Sequence, residues 1–234
     1  MASEKSGTWQ TGPMTGVQTD CRRCGTCCMK GGPALHTEDL ALIGSGRIPL
    51  NRLICIRKGE LVDDPLTGTT HAARYELVKI CGTGREWRCF YYSPEAGCSF
   101  YASRPLACRV LRCWEPDEIL ALVGKDMVSR LDILPLDHPL RPLVAEHEGL
   151  CPCPDMERLR DAVTSGSLKD LEPLQTLVDA DMAFRDRVVR EHSLTLALEL
   201  FVFGRPLFQL LQTVGIHSVE TAGRIRLSQP KKTP

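Results

Sequence analysis

Hydrophobic and polar positions change over short distances in the first half of the chain and follow a helical period in the second. Residues 53–57, 74–80 and 86–91 are short and rich in aliphatic and aromatic residues, and turn signals separate them at Asp63-Asp64-Pro65 and Gly82-Thr83-Gly84. Segments of this kind are typical of strands. We therefore expect a small antiparallel sheet in this half.

Short helices are predicted around these strands. Thr37 is a suitable N-cap for a helix that ends at Gly44, and Pro105 stands in the first turn of another. Pro116 starts a third helix, and residues 138–148 predict a fourth. These helices are short, so their stability must come from what they pack against.

Residues 155–220 have a helical pattern. Apolar residues recur there at the three- and four-residue spacing of an amphipathic helix, at Leu171, Leu174, Leu177 and Val178. The segment 194–203 is apolar on most sides, so it must be buried. Either helices within residues 155–190 cover it, or it docks a protein partner or a second copy of the chain.

Composition and charge exclude several classes of protein. The chain has 234 residues, 43% hydrophobic and 25% charged, as in ordinary globular proteins. Its formal net charge is zero, which gives no electrostatic case for nucleic acid or an anionic membrane. Residues 1–20 lack an apolar signal-peptide core, and the apolar run 194–203 is shorter than the ~20 residues of a membrane span. We expect a cytoplasmic protein outside the membrane.

The cysteines change this picture most. Four of the twelve lie within Cys21-Arg22-Arg23-Cys24-Gly25-Thr26-Cys27-Cys28, where the intervening residues are not a core pattern. Paired Cys-x-x-Cys steps bring two thiolates to one side of a turn, and nearby arginines favour the thiolate. A disulfide knot is the alternative, but reduced cytoplasmic thiols at this spacing are more typical of a metal site.

A second group of thiols follows at residues 89–113. Together, the two groups supply eight proposed metal ligands: Cys21, Cys24, Cys27, Cys28, Cys89, Cys98, Cys108 and Cys113. Arg104, Arg109 and Arg112 lie among the second group, either as compensating charge or as a solvated helix face. Three weaker candidates are Cys81, Cys151 and Cys153, the last two in a Cys-Pro-Cys-Pro run that is either a ligand pair or a rigid turn. Cys55, between two isoleucines, is predicted to be an inert buried thiol.

Two kinds of metal centre suit these ligands. Zinc takes four tetrahedral thiolates, and two such sites would use all eight. An iron–sulfur cluster, with [4Fe–4S] as the expected type, also takes four, and Cys21-x-x-Cys24-x-x-Cys27 has the spacing of a bacterial ferredoxin. Cys28 departs from that pattern by following at once, and adjacent side chains tend to diverge. Ligands shared between the two groups are therefore expected, and iron–sulfur is favoured.

The two groups also resemble the signatures of the CxxCxxCC family. The first is Cys21-x-x-Cys24-x-x-Cys27-Cys28 with the later helix start at Thr37-Glu38-Asp39-Leu40, and the second runs from Cys98 through Arg104-Pro105 to Cys108-Arg109. The resemblance covers residues 21–113 and implies a zinc- or iron-chelating protein. Flagellin lysine methylases are among the relatives, so the resemblance also admits a metal-dependent enzyme that modifies proteins.

Motifs for other catalysis are absent from the sequence. It contains no His-Glu-x-x-His, no Gly-x-Ser-x-Gly and no phosphate loop, and its histidines are not placed near any cysteine. No catalytic residue is therefore assigned. Three functions remain: an iron–sulfur protein with a redox, regulatory or accessory role, a zinc-stabilised interaction module, and the protein-modifying enzyme that the resemblance admits.

The expected fold class is α+β, with a small metal-stapled cysteine-rich domain of short strands followed by a helical C-terminal part. We divide the chain into a flexible leader at 1–20, a metal-binding domain at 21–154, a helical region at 155–220 and a flexible tail at 221–234.

Overall fold

The computed structural model describes residues 18–229, so most of the predicted leader and the last five residues of the predicted tail lie outside the described part. The described chain mixes short strands with helices, and the longer helices lie in its C-terminal part. This agrees with the predicted α+β class.

Strands occur as antiparallel pairs. Within the described residues they are β1 Leu53–Ile56, β2 Leu61–Asp63, β3 Thr70–Ala72, β4 Leu77–Ile80, β5 Gly82–Thr83, β6 Arg88–Cys89, β7 Tyr92–Ser93, β8 Gly97–Cys98, β9 His217–Thr221 and β10 Arg224–Ser228. The pairs are β1–β4, β2–β3, β5–β6, β7–β8 and β9–β10. The first two predicted strands pair with each other as β1 and β4, with Leu53 opposite Ile80.

The third predicted strand, 86–91, is shorter than expected. Trp87 adopts a left-handed backbone conformation, with φ of 54°, which no regular strand accommodates. Only Arg88 and Cys89 remain extended, and they pair with β5 rather than with the β1–β4 sheet. The single sheet predicted here is therefore wrong, because the chain turns sharply at Trp87.

Helices are short before residue 140 and longer after it. They are α1 Leu40–Gly44, α2 Leu106–Val110, α3 Asp117–Ala121, α4 Arg130–Ile133, α5 Leu140–Leu150, α6 Met156–Thr164, α7 Glu172–His192, α8 Leu196–Phe203 and α9 Leu207–Thr213. Short 3-10 turns cover Cys28–Lys30, Thr37–Asp39, Leu50–Arg52 and Tyr101–Ser103. The predicted amphipathic helix is α7, which buries Val178, Phe184 and Val188.

One hydrophobic core joins the two halves of the chain. It contains Leu53 and Val78 from the β1–β4 pair together with Phe201 and Phe203 from α8. Helix α8 packs against β1, the 3-10 turn Leu50–Arg52 and α5. Phe201, Val202 and Phe203 are thus buried within the chain, mainly by elements before residue 155, whereas Leu196 at the start of α8 is 69% exposed. The prediction that the whole segment 194–203 is buried is therefore wrong for its first half. A docking partner for the C-terminal helices stays a prediction.

The C-terminal segment forms a hairpin. Strands β9 and β10 pair in register from His217↔Ser228 to Thr221↔Arg224, with the two-residue turn Ala222-Gly223 at positive φ, as hairpins of this kind require. The Gln175 side chain donates to Ile225 O and accepts from Leu227 N, both at 2.9 Å. The predicted helical region 155–220 and flexible tail 221–234 are therefore wrong for residues 217–228, which form a hairpin anchored on α7.

An ion network with two buried arginines links the residue after β1 to α4 and α5, through a Glu148 side chain that is 38% exposed. Glu148, on α5, accepts hydrogen bonds from Arg57 Nε at 2.9 Å and from Arg57 and Arg130 Nη2 at 2.8 Å each. Both guanidinium groups are almost completely buried, and Arg130 also pairs with Glu76. Buried guanidinium ions need such partners, because their desolvation costs several kcal/mol.

We expect Glu148→Ala to lower the free energy of unfolding by about 3 kcal/mol, since it leaves the buried Arg57 without its carboxylate. Glu146, two residues away on α5, pairs with Arg187 where both side chains are about two-fifths exposed, so Glu146→Ala should cost less than about 1 kcal/mol. Urea titration of both variants measures the difference. Equal losses would show that the network does not carry this stability.

Candidate metal centre

The loop of residues 21–28 is bent by two residues at positive φ, Arg23 at 55° and Gly25 at 78°. Met29 N donates to Gly25 O at 2.9 Å, which starts the 3-10 turn Cys28–Lys30. The bend leaves the Cys27 and Cys28 sulfur atoms 3.9 Å apart. The expected divergence of these adjacent side chains is therefore wrong, because the turn brings both thiols to the same side.

Separate segments bring three more thiols to this pair. The 3-10 turn Cys28–Lys30 packs against β6, which carries the buried Cys89. Cys98 lies opposite Tyr92 in the β7–β8 pair, and Gly25 lies directly against the Tyr92 ring. Cys108, on α2, lies close enough to Cys27, Cys89 and Cys98 for their charges to act on it.

The pKa values of these thiols depend on a proton shared between Cys27 and Cys28 and on burial. The hydrogen bond from Cys28 lowers the pKa of Cys27 to about 6, and the same shared proton raises the pKa of Cys28. Burial raises the pKa of Cys89, and it raises that of Cys108 to about 12. A second cause for Cys89 and Cys108 is the charge of neighbouring thiolates. Burial and mutual repulsion thus disfavour the thiolate form of these cysteines, and a cation bound here would offset both effects and release the thiol protons.

The remaining predicted ligands lie closer to solvent. Cys24 and Cys113 are exposed, and Cys21 is half-buried. Cys21 Sγ accepts from Arg23 N at 3.4 Å, and a hydrogen bond from Thr26 lowers the pKa of Cys24. Burial and then the charges of Cys24 and Cys21 raise the pKa of Cys113. All eight predicted ligands therefore lie in one region.

Arginines surround part of this region. The guanidinium of Arg104 lies 3.8 Å from the centre of the Tyr101 ring, and that of Arg23 lies 4.1 Å from it. The charge of Arg104 contributes to the lowered pKa of Cys27, which fits the charge-compensating alternative. Arg109 pairs with Glu38, and Arg112 lies 3.5 Å from Glu115. Those two arginines have carboxylate partners, as in a solvated helix face.

The weaker cysteine candidates differ in their surroundings. Cys81 directly precedes β5 and lies near enough to raise the pKa of Cys89. Cys55 is completely buried in β1, as predicted for a structural thiol. The Cys153 sulfur lies 3.4 Å from the position that a Cβ atom on Gly59 would occupy. Cys151 is completely buried at the end of α5.

Cys151 belongs to a group that the sequence analysis missed. His147, Cys151 and Asp181 are the three residues, among those described, whose ligand atoms lie within 4.8 Å of one another. Four-residue spacing on α5 places His147 and Cys151 one turn apart, so the statement that no histidine is placed near a cysteine was wrong. The Asp181 carboxylate already accepts from His147, from Arg185 and from Leu207 N. Asp181 supplies the only carboxylate of this group, and the Arg185 guanidinium already neutralises it. The group is therefore a poor cation site.

The geometry at Cys27 and Cys28 fits a metal ion. Zinc–thiolate bonds of about 2.3 Å give a tetrahedral S···S edge of about 3.8 Å, close to the 3.9 Å between these sulfur atoms. Among the described residues no three thiols lie within 4.8 Å of one another, so the other ligands must close in around an ion or hold a larger cluster. The donor set suits zinc and iron alike.

We expect Gly25→Ala to lower the stability of the centre. A methyl group at this position would lie 1.9 Å from Tyr92 Oη, and the φ of 78° disfavours any side chain. The expected cost is about 2–4 kcal/mol from strain and overpacking together. Gly84 is the matched control, since it has φ of 72° but open space around it, and Gly84→Ala should cost about 1 kcal/mol. Thermal unfolding of the metal-loaded variants measures both, and equal costs would contradict the Tyr92 contact.

Comparison with known families agrees with this geometry. A family model matches the chain over residues 20–125. The model is that of the CxxCxxCC domain. The family is described as a "putative zinc- or iron-chelating domain", so a metal-binding role is supported. The matched segment contains all eight predicted ligands and ends before Cys151 and His147.

Comparison with individual proteins adds no relatives, because no curated protein and no solved structure matches the chain. Among the helices within residues 18–229, none has the length and apolar character needed to cross a membrane.

Proposed function

We propose that this protein binds metal through the thiolates of its CxxCxxCC domain and serves a redox, regulatory or accessory role. The observation that carries the proposal is the convergence of thiols from three other segments on the Cys27–Cys28 pair. Burial raises the pKa of Cys89 and Cys108, and the charges of neighbouring thiolates raise it further. The bound metal neutralises that repulsion and fastens four short segments together.

An iron–sulfur cluster is the first candidate for the centre. The spacing Cys21-x-x-Cys24-x-x-Cys27 is that of a bacterial ferredoxin. Buried surroundings around Cys89 and the nearby Arg104 are the features that tune the potential of such clusters. A cluster here would supply one-electron chemistry, and the protein's part would be to hold and shield it.

A zinc centre is the second candidate, and a specific distance favours it. The 3.9 Å between the Cys27 and Cys28 sulfur atoms suits two thiolates on one metal atom, whereas each thiolate of a [4Fe–4S] cluster binds a different iron. In that case the domain is a metal-stabilised module with a protein partner.

Serine substitutions test which thiols hold the metal. We expect Cys98→Ser and Cys108→Ser to lose bound metal, measured by elemental analysis of the purified protein. Cys55→Ser is the control, since Cys55 is buried in β1 away from solvent and should keep the full metal content. Loss of metal from Cys55→Ser together with full retention in Cys108→Ser would overturn the proposal.

A further inference from the structure

Helix α2 carries the predicted ligand Cys108, yet its own sequence does little to hold it in place. It has five residues, and helices of this length depend on what they pack against. Its first residue follows Pro105, whose side chain has no oxygen with which to cap the helix. The backbone N–H of Leu106 therefore needs an acceptor from another part of the chain.

Asp39 supplies that acceptor from 67 residues away. Its Oδ1 accepts from Leu106 N at 2.8 Å, and its Oδ2 accepts from His36 N at 3.0 Å. Asp39 is completely buried, and hydrogen bonds from backbone N–H groups to a carboxylate are among the strong ones. We propose that Asp39 is a positioning residue of the metal centre, which holds α2 so that Cys108 is placed for metal binding. This inference rests on the proposed metal-binding function.

The segment that carries Asp39 is itself fixed to the hydrophobic core. Leu35 is completely buried, and its N–H donates to Val78 O, on β4, at 2.9 Å. On its other side, Leu35 O accepts from Val128 N at 3.3 Å. Asp39 thus ties α2 to the β1–β4 pair rather than to a free loop.

A second contact joins the same two segments. Glu38 pairs with Arg109 on α2, but both side chains are exposed, so solvent screens this pair. The buried carboxylate of Asp39 is therefore the stronger link. Through these contacts the motif at residues 37–40 meets the motif at residues 104–109.

Positioning matters because a metal centre binds more tightly when its ligands are already in place. Cys108 lies on the same short helix as Leu106, so the Asp39 hydrogen bond fixes it before the metal arrives. Without that bond the metal must order α2 as it binds, and the cost of ordering lowers the affinity. Groups that orient metal ligands typically change the affinity by about 10- to 100-fold.

Asp132 offers a matched control, because it caps α4 in the same way. Its Oδ2 accepts from Ser129 N at 2.8 Å, but α4 carries none of the eight predicted ligands. The full chain, reduced and metal-free, is titrated with Co²⁺ in competition with a chelator, and thiolate–cobalt charge-transfer bands report binding. We expect Asp39→Ala to weaken Co²⁺ binding about 10-fold and Asp132→Ala to change it less than about twofold.

Alkylation separates positioning from a general loss of stability. At saturating Co²⁺, iodoacetamide should label Cys108 faster in Asp39→Ala than in the wild-type protein, as located by mass spectrometry. Cys55, completely buried in β1, should stay as unreactive as before. A fold that is only destabilised would expose both thiols alike.

Three results would overturn the positioning role: unchanged Co²⁺ affinity in a folded Asp39→Ala variant, an equal loss of affinity in Asp132→Ala, or equal labelling of Cys108 and Cys55. A wild-type chain that binds no Co²⁺ would instead refute the proposed metal-binding function, and the positioning role with it.

Should Asp39→Ala not fold, amide hydrogen exchange of the wild-type protein still decides. The Leu106 N–H has no acceptor within its own helix, so its protection depends on Asp39. We expect slow exchange at Leu106 in the folded, cobalt-loaded chain. Exchange there at the rate of an unprotected amide would contradict the contact on which the positioning role depends.

Discussion

Removal of the metal is expected to unfold residues 82–98 and to leave the rest of the chain folded. The pairs β5–β6 and β7–β8 have two residues on each strand, far too few to be stable alone. Metal binding at structural zinc sites contributes ~10–16 kcal/mol of apparent folding free energy in peptides. Amide hydrogen exchange should therefore accelerate strongly across these strands when a chelator removes the metal.

The β1–β4 pair is the internal control for this experiment. Leu53 and Val78 are fully buried against the C-terminal helices, so their amides should stay protected after chelation. A matching loss of circular dichroism is expected. An unchanged spectrum and unchanged exchange with the metal demonstrably removed would contradict a metal-dependent fold.

Asp181→Ala is expected to destabilise the C-terminal part by about 3–5 kcal/mol, the cost of removing one partner from a buried ion pair. Asp181 Oδ1 lies 2.7 Å from His147 Nε2 and 2.9 Å from Arg185 Nε, and Oδ2 accepts from Leu207 N. Arg185 in turn donates to the carbonyls of Phe203, Gly204 and Arg205 at the end of α8. Loss of the carboxylate therefore releases the α8–α9 junction.

Asp186 offers a matched control on the same helix. It pairs with Arg190 at 2.9 Å, but both side chains are about 70% exposed, so Asp186→Ala should change the free energy of unfolding by less than about 0.5 kcal/mol. Urea unfolding followed by circular dichroism gives both values. Similar losses in the two variants would show that the Asp181 network is not what joins α7 to the α8–α9 junction.

The elements that were predicted correctly are those determined by the pattern of a few neighbouring residues. The aliphatic run at β1 and the spacing of apolar residues on α7 gave correct elements, and the cysteine spacing pointed to the region where the thiols meet. The hairpin at the C-terminus also had a signal, since Ile225 and Leu227 alternate with polar residues after the Gly223 turn. The prediction of a flexible tail over 221–234 overlooked that signal.

Long-range pairing could not be predicted in this way. Nothing near Arg57 in the sequence indicates that Glu148, 91 residues later, neutralises it. The same holds for the contact between Gly25 and Tyr92, which positions the Cys27–Cys28 turn against β7. Such partners are chosen by packing of the whole chain, whereas periodicity reports only which face of an element is buried.

The most direct test of the central claim is the metal and acid-labile sulfide content of the full chain purified without oxygen. We predict bound metal that remains with the protein: iron and sulfide in similar amounts for a cluster, or zinc without sulfide for thiolate-bound ions. A folded protein that contains neither metal, and in which all eight predicted ligands react with a thiol reagent, would contradict the account.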